Sequence, residues 1–156
     1  MKRSAALLSA IILPAIFFLA CSHPATPYKP GVGELMSSIQ LHHAKLWFAG
    51  ENQNWLLAAY NQSLIQNAFK RIQLYHGDTY EAKAAYMIDP AMDSVRNGIA
   101  HRDRLAFESG FRFLTTSCNN CHVVTNHAFN VITIPVNPPI GNQDFRLAAP
   151  QQLTNN

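Results

Sequence analysis

The sequence predicts an all-α protein: an up-and-down four-helix bundle followed by an extended, proline-containing C-terminal tail. Between residues 33 and 127, apolar residues recur at spacings of three and four, which is the period of one helix face. No alternating strand pattern competes before residues 131–135, where prolines confine the chain to an extended form. The four helical segments have short connections, and short connections favour antiparallel neighbours.

The first two helices have the most regular apolar pattern. Helix one runs from Gly33 to Gly50, and helix two starts after Asn52 or Asn54 as its N-cap and ends before Gly77. One face of helix one carries Leu35, Met36, Ile39, His42, His43, Leu46 and Trp47. Both helices therefore have an apolar stripe suited to a shared core.

The third helix is shorter and the fourth is long. Pro90 suits a first-turn position after Asp89, and helical spacing continues to about His101. The fourth helix is predicted from about Asp103 to His127. The most informative motif of the chain lies near the end of this last helix.

The N-terminus has the pattern of an export signal. Lys2 and Arg3 precede an almost wholly apolar stretch, residues 5–20. At about 16 residues this stretch is short for a membrane span, which needs about 20, so it indicates a cleaved signal peptide. Residues 18–21, Phe-Leu-Ala-Cys, resemble a bacterial lipobox and predict lipidation of Cys21. The alternative is a plain signal peptide and a free thiol.

The sequence divides into a signal peptide (1–20), a lipid-anchor site and proline-rich tether (21–32), and a helical domain with its tail (33–156). Removing 20 of 156 residues leaves 136, enough for one domain. Removing Lys2 and Arg3 from twelve basic residues leaves ten against nine acidic ones. The mature chain is then nearly neutral and has no basic run, which argues against a nucleic-acid partner.

Residues 118–122 spell C-x-x-C-H, the motif of c-type haem attachment. In this interpretation Cys118 and Cys121 bind one covalent haem c, and His122 is the proximal iron ligand. Dithiol or disulfide chemistry remains an alternative, although no βαβ pattern surrounds the pair. A zinc site would need two further ligands at recognisable spacing, and the sequence has no second C-x-x-C or H-x-x-x-H.

Bundle geometry places the other side of the iron on helix one. In an up-and-down bundle, the end of helix four meets the beginning of helix one, and counting inward gives a facing level at residues 39–46. His43 is predicted as the distal ligand or a distal-pocket residue, with His42 and Met36 as alternatives. An open, five-coordinate iron is a further alternative, because His and Met on an apolar face also serve simply as packing.

Three further residues have predicted positions around the cofactor. Lys45 and Arg112 are candidates to pair with the haem propionates, since buried carboxylates need partners, but either also suits a solvated surface. His127 is expected on the proximal side or in solvent. No nucleophile elbow, phosphate loop or paired-carboxylate arrangement stands out, and the sequence predicts no enzyme.

A C-x-x-C-H near the end of the last of four helices resembles the cytochrome c′ class. The blocks at residues 40–50, 114–122 and 138–145 are similar to those of uncharacterised bacterial monohaem lipoprotein cytochromes. The resemblance implies one-electron transfer with a redox partner protein near a membrane, or gas binding at a five-coordinate haem. Ser22 after Cys21 resembles the sorting pattern of Gram-negative outer-membrane lipoproteins.

The sequence thus predicts an exported protein at the periplasmic face of a membrane, held there by its lipid anchor. Its redox partner is not identified, and the oligomeric state is left open, a homodimer included. A haem-free dithiol or disulfide lipoprotein is the second alternative function.

Overall fold

The computed structural model describes residues 28–146, and within them it confirms an all-α bundle. The helices are α1 (Val32–Glu51), α2 (Trp55–Tyr75), α3 (Tyr80–Ala84), a 3₁₀ turn (Ala85–Ile88), α4 (Asp89–Ala100) and α5 (Arg104–Val124). Helix α1 packs on α2, α2 on α4, α4 on α5 and α5 back on α1. The four long helices therefore close a ring around one core. The predicted signal peptide and Cys21 lie outside the described residues.

The turn from α1 to α2 is a Schellman motif. Gln53 adopts a left-handed conformation with φ of 54°, which lets two backbone amides reach back into α1. The N–H of Gln53 donates to the Gly50 carbonyl at 2.8 Å, and that of Asn54 to Ala49 at 2.9 Å. The Asn54 side chain then accepts from Leu57 N–H and caps α2, as predicted. One residue thus ends one helix and begins the next.

The turn from α4 to α5 repeats this arrangement. Arg102 has φ of 53°, and its N–H donates to the Ile99 carbonyl at 3.1 Å. The N–H of Asp103 donates to the Gly98 carbonyl at 2.9 Å, and its carboxylate caps α5 by accepting from Ala106 N–H. The bundle is accordingly built from two antiparallel helix pairs joined by the same three-residue turn.

The sequence prediction missed the segment between α2 and α4. Helix α3 begins after Thr79, whose hydroxyl accepts from Ala82 N–H at 3.2 Å. Five α-helical residues followed by four 3₁₀ residues are too few to show an amphipathic repeat. Helix α3 packs against α5 and so adds a wall near the end of the bundle.

The described part of the C-terminal tail, residues 125–146, contains no helix or strand. An extended tail was predicted, but the fourth helix was expected to continue to about His127, whereas α5 ends at Val124. The tail returns along the bundle from the end of α5 to the turn between α1 and α2. There Phe145 is buried, with its ring centroid 5.6 Å from that of Phe48. The side-chain amide of Asn54 donates to the Phe145 carbonyl at 3.3 Å. The α2 cap therefore also holds the tail in place.

Helices α1 and α5 are antiparallel, as expected from the sequence. Gly50, near the end of α1, lies directly against the ring of Phe107 near the start of α5. Seven residues earlier on α1, His43 hydrogen-bonds Thr115, which is eight residues later on α5. Between these two levels, Trp47 packs on Phe111 at 4.9 Å between ring centroids. Aromatic packing thus fixes the register of the two helices.

Helices α4 and α5 approach closely because two glycines lie between them. A Cβ atom on Gly98 would lie 2.5 Å from the backbone nitrogen of Phe107. One on Gly110 would lie 2.8 Å from the backbone nitrogen of Val95. Both distances are below van der Waals contact, so a side chain at either position would push the helix backbones apart.

We expect Gly98→Ala to lower the free energy of unfolding by about 1–3 kcal/mol, the usual effect of overpacking a core. The matched control is Gly33→Ala in α1, because a Cβ there meets no atom within 4 Å. The control should raise stability by up to about 1 kcal/mol through helix propensity. Urea unfolding followed by circular dichroism measures both variants. Equal stability of Gly98→Ala and the wild type would contradict the close α4–α5 approach.

Candidate cofactor site

A cavity lined by the C-x-x-C-H motif lies where α1 begins and α5 ends. It has a volume of about 270 Å³ and is bounded by α1, α2, α3, the 3₁₀ turn, α5 and the start of the tail. Its apolar wall includes Met36, Ile39, Phe69, Ile88 and Ile132. Some lining residues, Gln40 among them, are exposed, so the cavity opens to solvent on one side. The site is close to the lower end of typical ligand pockets, about 300–1,000 Å³.

All three chemically distinctive residues of the C-x-x-C-H motif line this cavity. Cys118, Cys121 and His122 stand at positions i, i+3 and i+4 of α5, and residues at that spacing share one helix face. The two thiols are buried, whereas His122 is half-buried at the open side. The helical conformation of the motif is therefore what gathers the predicted attachment and ligand groups on one wall.

The surroundings of the two cysteines disfavour thiolate chemistry. Burial raises the pKa of the Cys118 thiol to about 12. The pKa of Cys121 is also raised, first by burial and then by the negative charge of Glu81. Both residues lie toward the C-terminal end of α5, where the helix dipole opposes negative charge. Reactive dithiols have lowered pKa values, often at helix N-termini, so this environment is unlike theirs.

The hydrogen bond of His122 determines its tautomer. Its Nδ1 lies 2.6 Å from the backbone carbonyl oxygen of Asn130. A carbonyl oxygen only accepts hydrogen bonds, so Nδ1 carries the proton and Nε2 keeps its lone pair. A histidine that binds a metal usually donates its other ring N–H in this way, which fixes the direction of the ring. His122 is thus prepared to act as a ligand through Nε2.

The chain folds back toward His122 because α5 ends in a third Schellman motif. Asn126 is left-handed with φ of 64°, and its N–H donates to the Val123 carbonyl at 3.3 Å. The N–H of His127 donates to the His122 carbonyl at 2.6 Å. A further turn bond joins Asn130 N–H to the His127 carbonyl at 2.8 Å. These turns carry the Asn130 carbonyl to the His122 ring.

His43 lies in the cavity wall with one ring nitrogen already engaged. Its Nε2 is 3.0 Å from Thr115 Oγ1, and the Thr115 hydroxyl donates to the Phe111 carbonyl at 3.0 Å. Since the hydroxyl has a single proton, His43 Nε2–H must be the donor to Thr115, which leaves the lone pair on Nδ1. Burial lowers the pKa of His43 to about 4, so its imidazole is neutral at physiological pH.

Of the other two α1 candidates, Met36 lines the cavity and His42 does not. His42 Nδ1 lies 2.9 Å from the side-chain oxygen of the buried Asn61 on α2. The hydrogen bond between His43 and Thr115 places these two residues at one level of the bundle. Met36 is seven residues before His43 on α1, and His122 is seven residues after Thr115 on the antiparallel α5. Met36 and His122 therefore also lie at one level. His43 therefore lies about two turns deeper in the bundle than the level of His122.

The remaining predicted residues are distributed differently. Lys45 and Arg112 do not line the cavity, and none of its described lining residues is lysine or arginine. His127 lines the cavity beside the motif, and its Nδ1–H donates to the Thr125 carbonyl at 2.8 Å. Glu81 on α3, which the sequence analysis did not single out, lies 3.8 Å from His127 Nδ1. The sequence feature that indicates the helix carrying Glu81 is Thr79, a residue type favoured as an N-cap.

Protein-family models, curated proteins and solved structures were compared with the chain, and none of them matches it. In residues 28–146, no group of three or more histidine, cysteine or acidic side chains is placed to hold a metal ion. Haem iron takes four ligands from its porphyrin, so the protein needs to supply only one or two. No helix between residues 28 and 146 is long and apolar enough to cross a membrane.

Proposed function

We propose that the chain is an exported, lipid-anchored monohaem c-type cytochrome that transfers single electrons near a membrane surface. The observation that carries the proposal is the shared cavity wall of Cys118, Cys121 and His122, in which His122 Nδ1–H donates to the Asn130 carbonyl. The two thiols suit covalent attachment, and the oriented imidazole suits proximal ligation. Haem would supply one-electron iron chemistry at this site.

The protein's own residues have distinct parts in this proposal. The apolar side chains around Met36 and Ile132 keep water from one side of the cavity, and this lowers the local dielectric. The Asn130 carbonyl orients His122 and strengthens its basicity. Because the cavity opens to solvent and offers no described lysine or arginine, charged edge groups of the cofactor belong at the open side.

On the distal side, the contacts favour Met36 over His43 as the sixth ligand. The Met36 thioether lines the cavity at the level of His122, whereas His43 donates its Nε2–H to Thr115. Coordination through His43 Nδ1 would bring the porphyrin against the backbone, since Nδ1 is adjacent to the ring carbon that bears Cβ. His43 accordingly suits a distal-pocket role, which the sequence analysis also considered.

A five-coordinate haem that binds small gases is the second candidate function. The engagement of His43 Nε2 by Thr115 favours it, because this removes one of the two candidate ligands, Met36 and His43, that α1 presents to the cavity. The dithiol alternative has less support, because the pKa values of both thiols are raised. An absorption spectrum of the matured protein, oxidised and reduced, separates the three functions.

We expect one covalent haem per chain. After expression with a cytochrome c maturation system, acid-acetone should leave colour on the protein, and a pyridine haemochrome should have a c-type band position. Cys118→Ala and Cys121→Ala should sharply reduce holoprotein. Ser117→Ala is the matched control, since Ser117 is a buried neighbour that does not line the cavity. A matured wild-type chain without iron would end the cytochrome proposal.

We expect the ferric wild type to be low-spin and Met36→Ala to convert it to a high-spin form that binds carbon monoxide when reduced. His43→Ala should destabilise the fold but keep the low-spin spectrum. His42→Ala serves as a control because its ring bonds Asn61 outside the cavity. A low-spin spectrum lost in His43→Ala would make His43 the ligand. A wild type that is already high-spin would favour gas binding.

Lipid anchoring depends on Cys21, which is outside the described residues. We expect the mature chain to begin at Cys21 with several acyl chains, since a single chain anchors a protein only marginally. Mass spectrometry of the N-terminal peptide measures this, and Cys21→Ser should release the protein from the membrane fraction. An unmodified N-terminal peptide that starts beyond Cys21 would instead indicate a soluble periplasmic cytochrome.

A further inference from the structure

Asn119, the first intervening residue of C-x-x-C-H, makes a two-point contact with the chain segment that follows α5. Its Nδ2 donates to the Ile132 carbonyl at 2.9 Å, and its Oδ1 accepts from Ile132 N–H at 2.8 Å. Both partners are backbone groups of one residue, so the contact fixes the position and the orientation of the backbone on both sides of Ile132. The roles of donor and acceptor also determine which way the Asn119 amide points.

The segment held by Asn119 also carries the partner of His122. Asn130, whose carbonyl accepts from His122 Nδ1–H, lies two residues before Ile132. Asn119 and His122 are three residues apart on α5 and therefore share a face. The 130–132 segment is thus attached to a single turn of α5 at three hydrogen bonds, one that His122 donates, one that Asn119 donates and one that Asn119 accepts.

Without Asn119, the Asn130 carbonyl would lose the hydrogen bonds that fix it from the C-terminal side. Toward the N-terminus it is fixed by the turn bond from Asn130 N–H to the His127 carbonyl. Toward the C-terminus, Asn119 supplies the two hydrogen bonds at Ile132. Asn130 itself is exposed, so burial does not hold its carbonyl in place. The remaining support is the apolar side chain of Ile132 against the core.

We propose that Asn119 is a positioning residue: by clamping Ile132, it holds the Asn130 carbonyl against His122 and so sets the basicity of the proximal ligand. This rests on the proposed cytochrome function. A firm hydrogen bond at Nδ1 makes the imidazole a stronger electron donor, which stabilises ferric over ferrous iron. Loosening the clamp weakens that bond and favours the ferrous state.

The test uses the matured holoprotein and two asparagines of the same motif. In Asn119→Ala, the midpoint potential should rise, with the ferrous-to-ferric ratio at a fixed potential increasing up to about tenfold, or about 59 mV for one electron. The ferrous iron–histidine stretching band in resonance Raman spectra, measured in a Met36→Ala background where the sixth position is open, should fall in frequency on Asn119→Ala. Asn120→Ala is the matched control, because Asn120 is exposed in the same motif. It should leave both measurements unchanged.

A second pair of variants changes the other end of the clamp and leaves the motif intact. Ile132→Pro removes the N–H that donates to Asn119, whereas Ile132→Ala shortens the same side chain but keeps the N–H. Relative to Ile132→Ala, the proline variant should shift the potential in the same direction as Asn119→Ala. This comparison decides the matter if Asn119→Ala yields no holoprotein.

The outcomes separate this inference from the proposed function. A wild type without covalent haem, measured by intact mass, would overturn both. A haem-bearing wild type whose potential and iron–histidine band are unchanged in Asn119→Ala would overturn the clamp alone. Equal potentials in Ile132→Pro and Ile132→Ala would do the same. Potentials that shift equally in Asn119→Ala and Asn120→Ala would show a general effect of the motif and also contradict the clamp.

Discussion

The antiparallel register of α1 against α5 is the constraint on which the cavity depends. It is fixed by packing: Gly50 admits the ring of Phe107, and the next level packs Trp47 on Phe111. A shift of one residue on α5 would rotate its side chains by about 100° and turn Cys118 away from α1. The register thus determines which α1 side chains face the motif, and it does so from core residues that do not themselves line the cavity.

Two three-residue turns position α2 beside α1 and α4 beside α5. Gln53 and Arg102 each adopt a left-handed conformation, which costs a residue with a side chain about 1–2 kcal/mol. The cost is offset by Schellman bonds and by the N-caps Asn54 and Asp103. Turns this short favour antiparallel neighbours, and α1 indeed packs along α2 and α4 along α5. Both turns lie at the end of the bundle opposite the cavity, and within the second pair two glycines let α4 and α5 approach closely.

Sequence reasoning predicted what depends on local pattern. The bounds of α1, α2 and α4 and the antiparallel placement of α1 and α5 follow from spacing. The sequence offered Asn52 or Asn54 as the N-cap of α2, and the structure selects Asn54. The sequence prediction ended α5 close to its observed terminus but missed α3, because five residues show no period. Glu81 was missed with it. The apolar pattern of a sequence does not show which hydrogen-bond partner each polar atom has.

The histidines illustrate this limit. The sequence placed His42 and His43 on one apolar stripe but could not reveal that one bonds Asn61 and the other Thr115. Those partners lie on other helices, and a hydrogen bond between helices leaves no periodic trace in either one. The same holds for the Asn130 carbonyl beside His122, since a backbone group has no sequence signature. The sequence was enough to identify the motif, but the hydrogen-bond partners around it are seen only in the folded structure.

The shape of the cavity bears on how the proposed cofactor would be held. A ligand bound without covalent bonds usually has 70–90% or more of its surface buried, and this cavity of about 270 Å³ opens to solvent. Two thioether bonds from α5 would remove the need for such enclosure. The cavity could then stay shallow, leaving an edge exposed for electron transfer. Burial of both thiols in apolar surroundings fits this role, because attachment requires two fixed sulfur atoms and no thiolate in the finished protein.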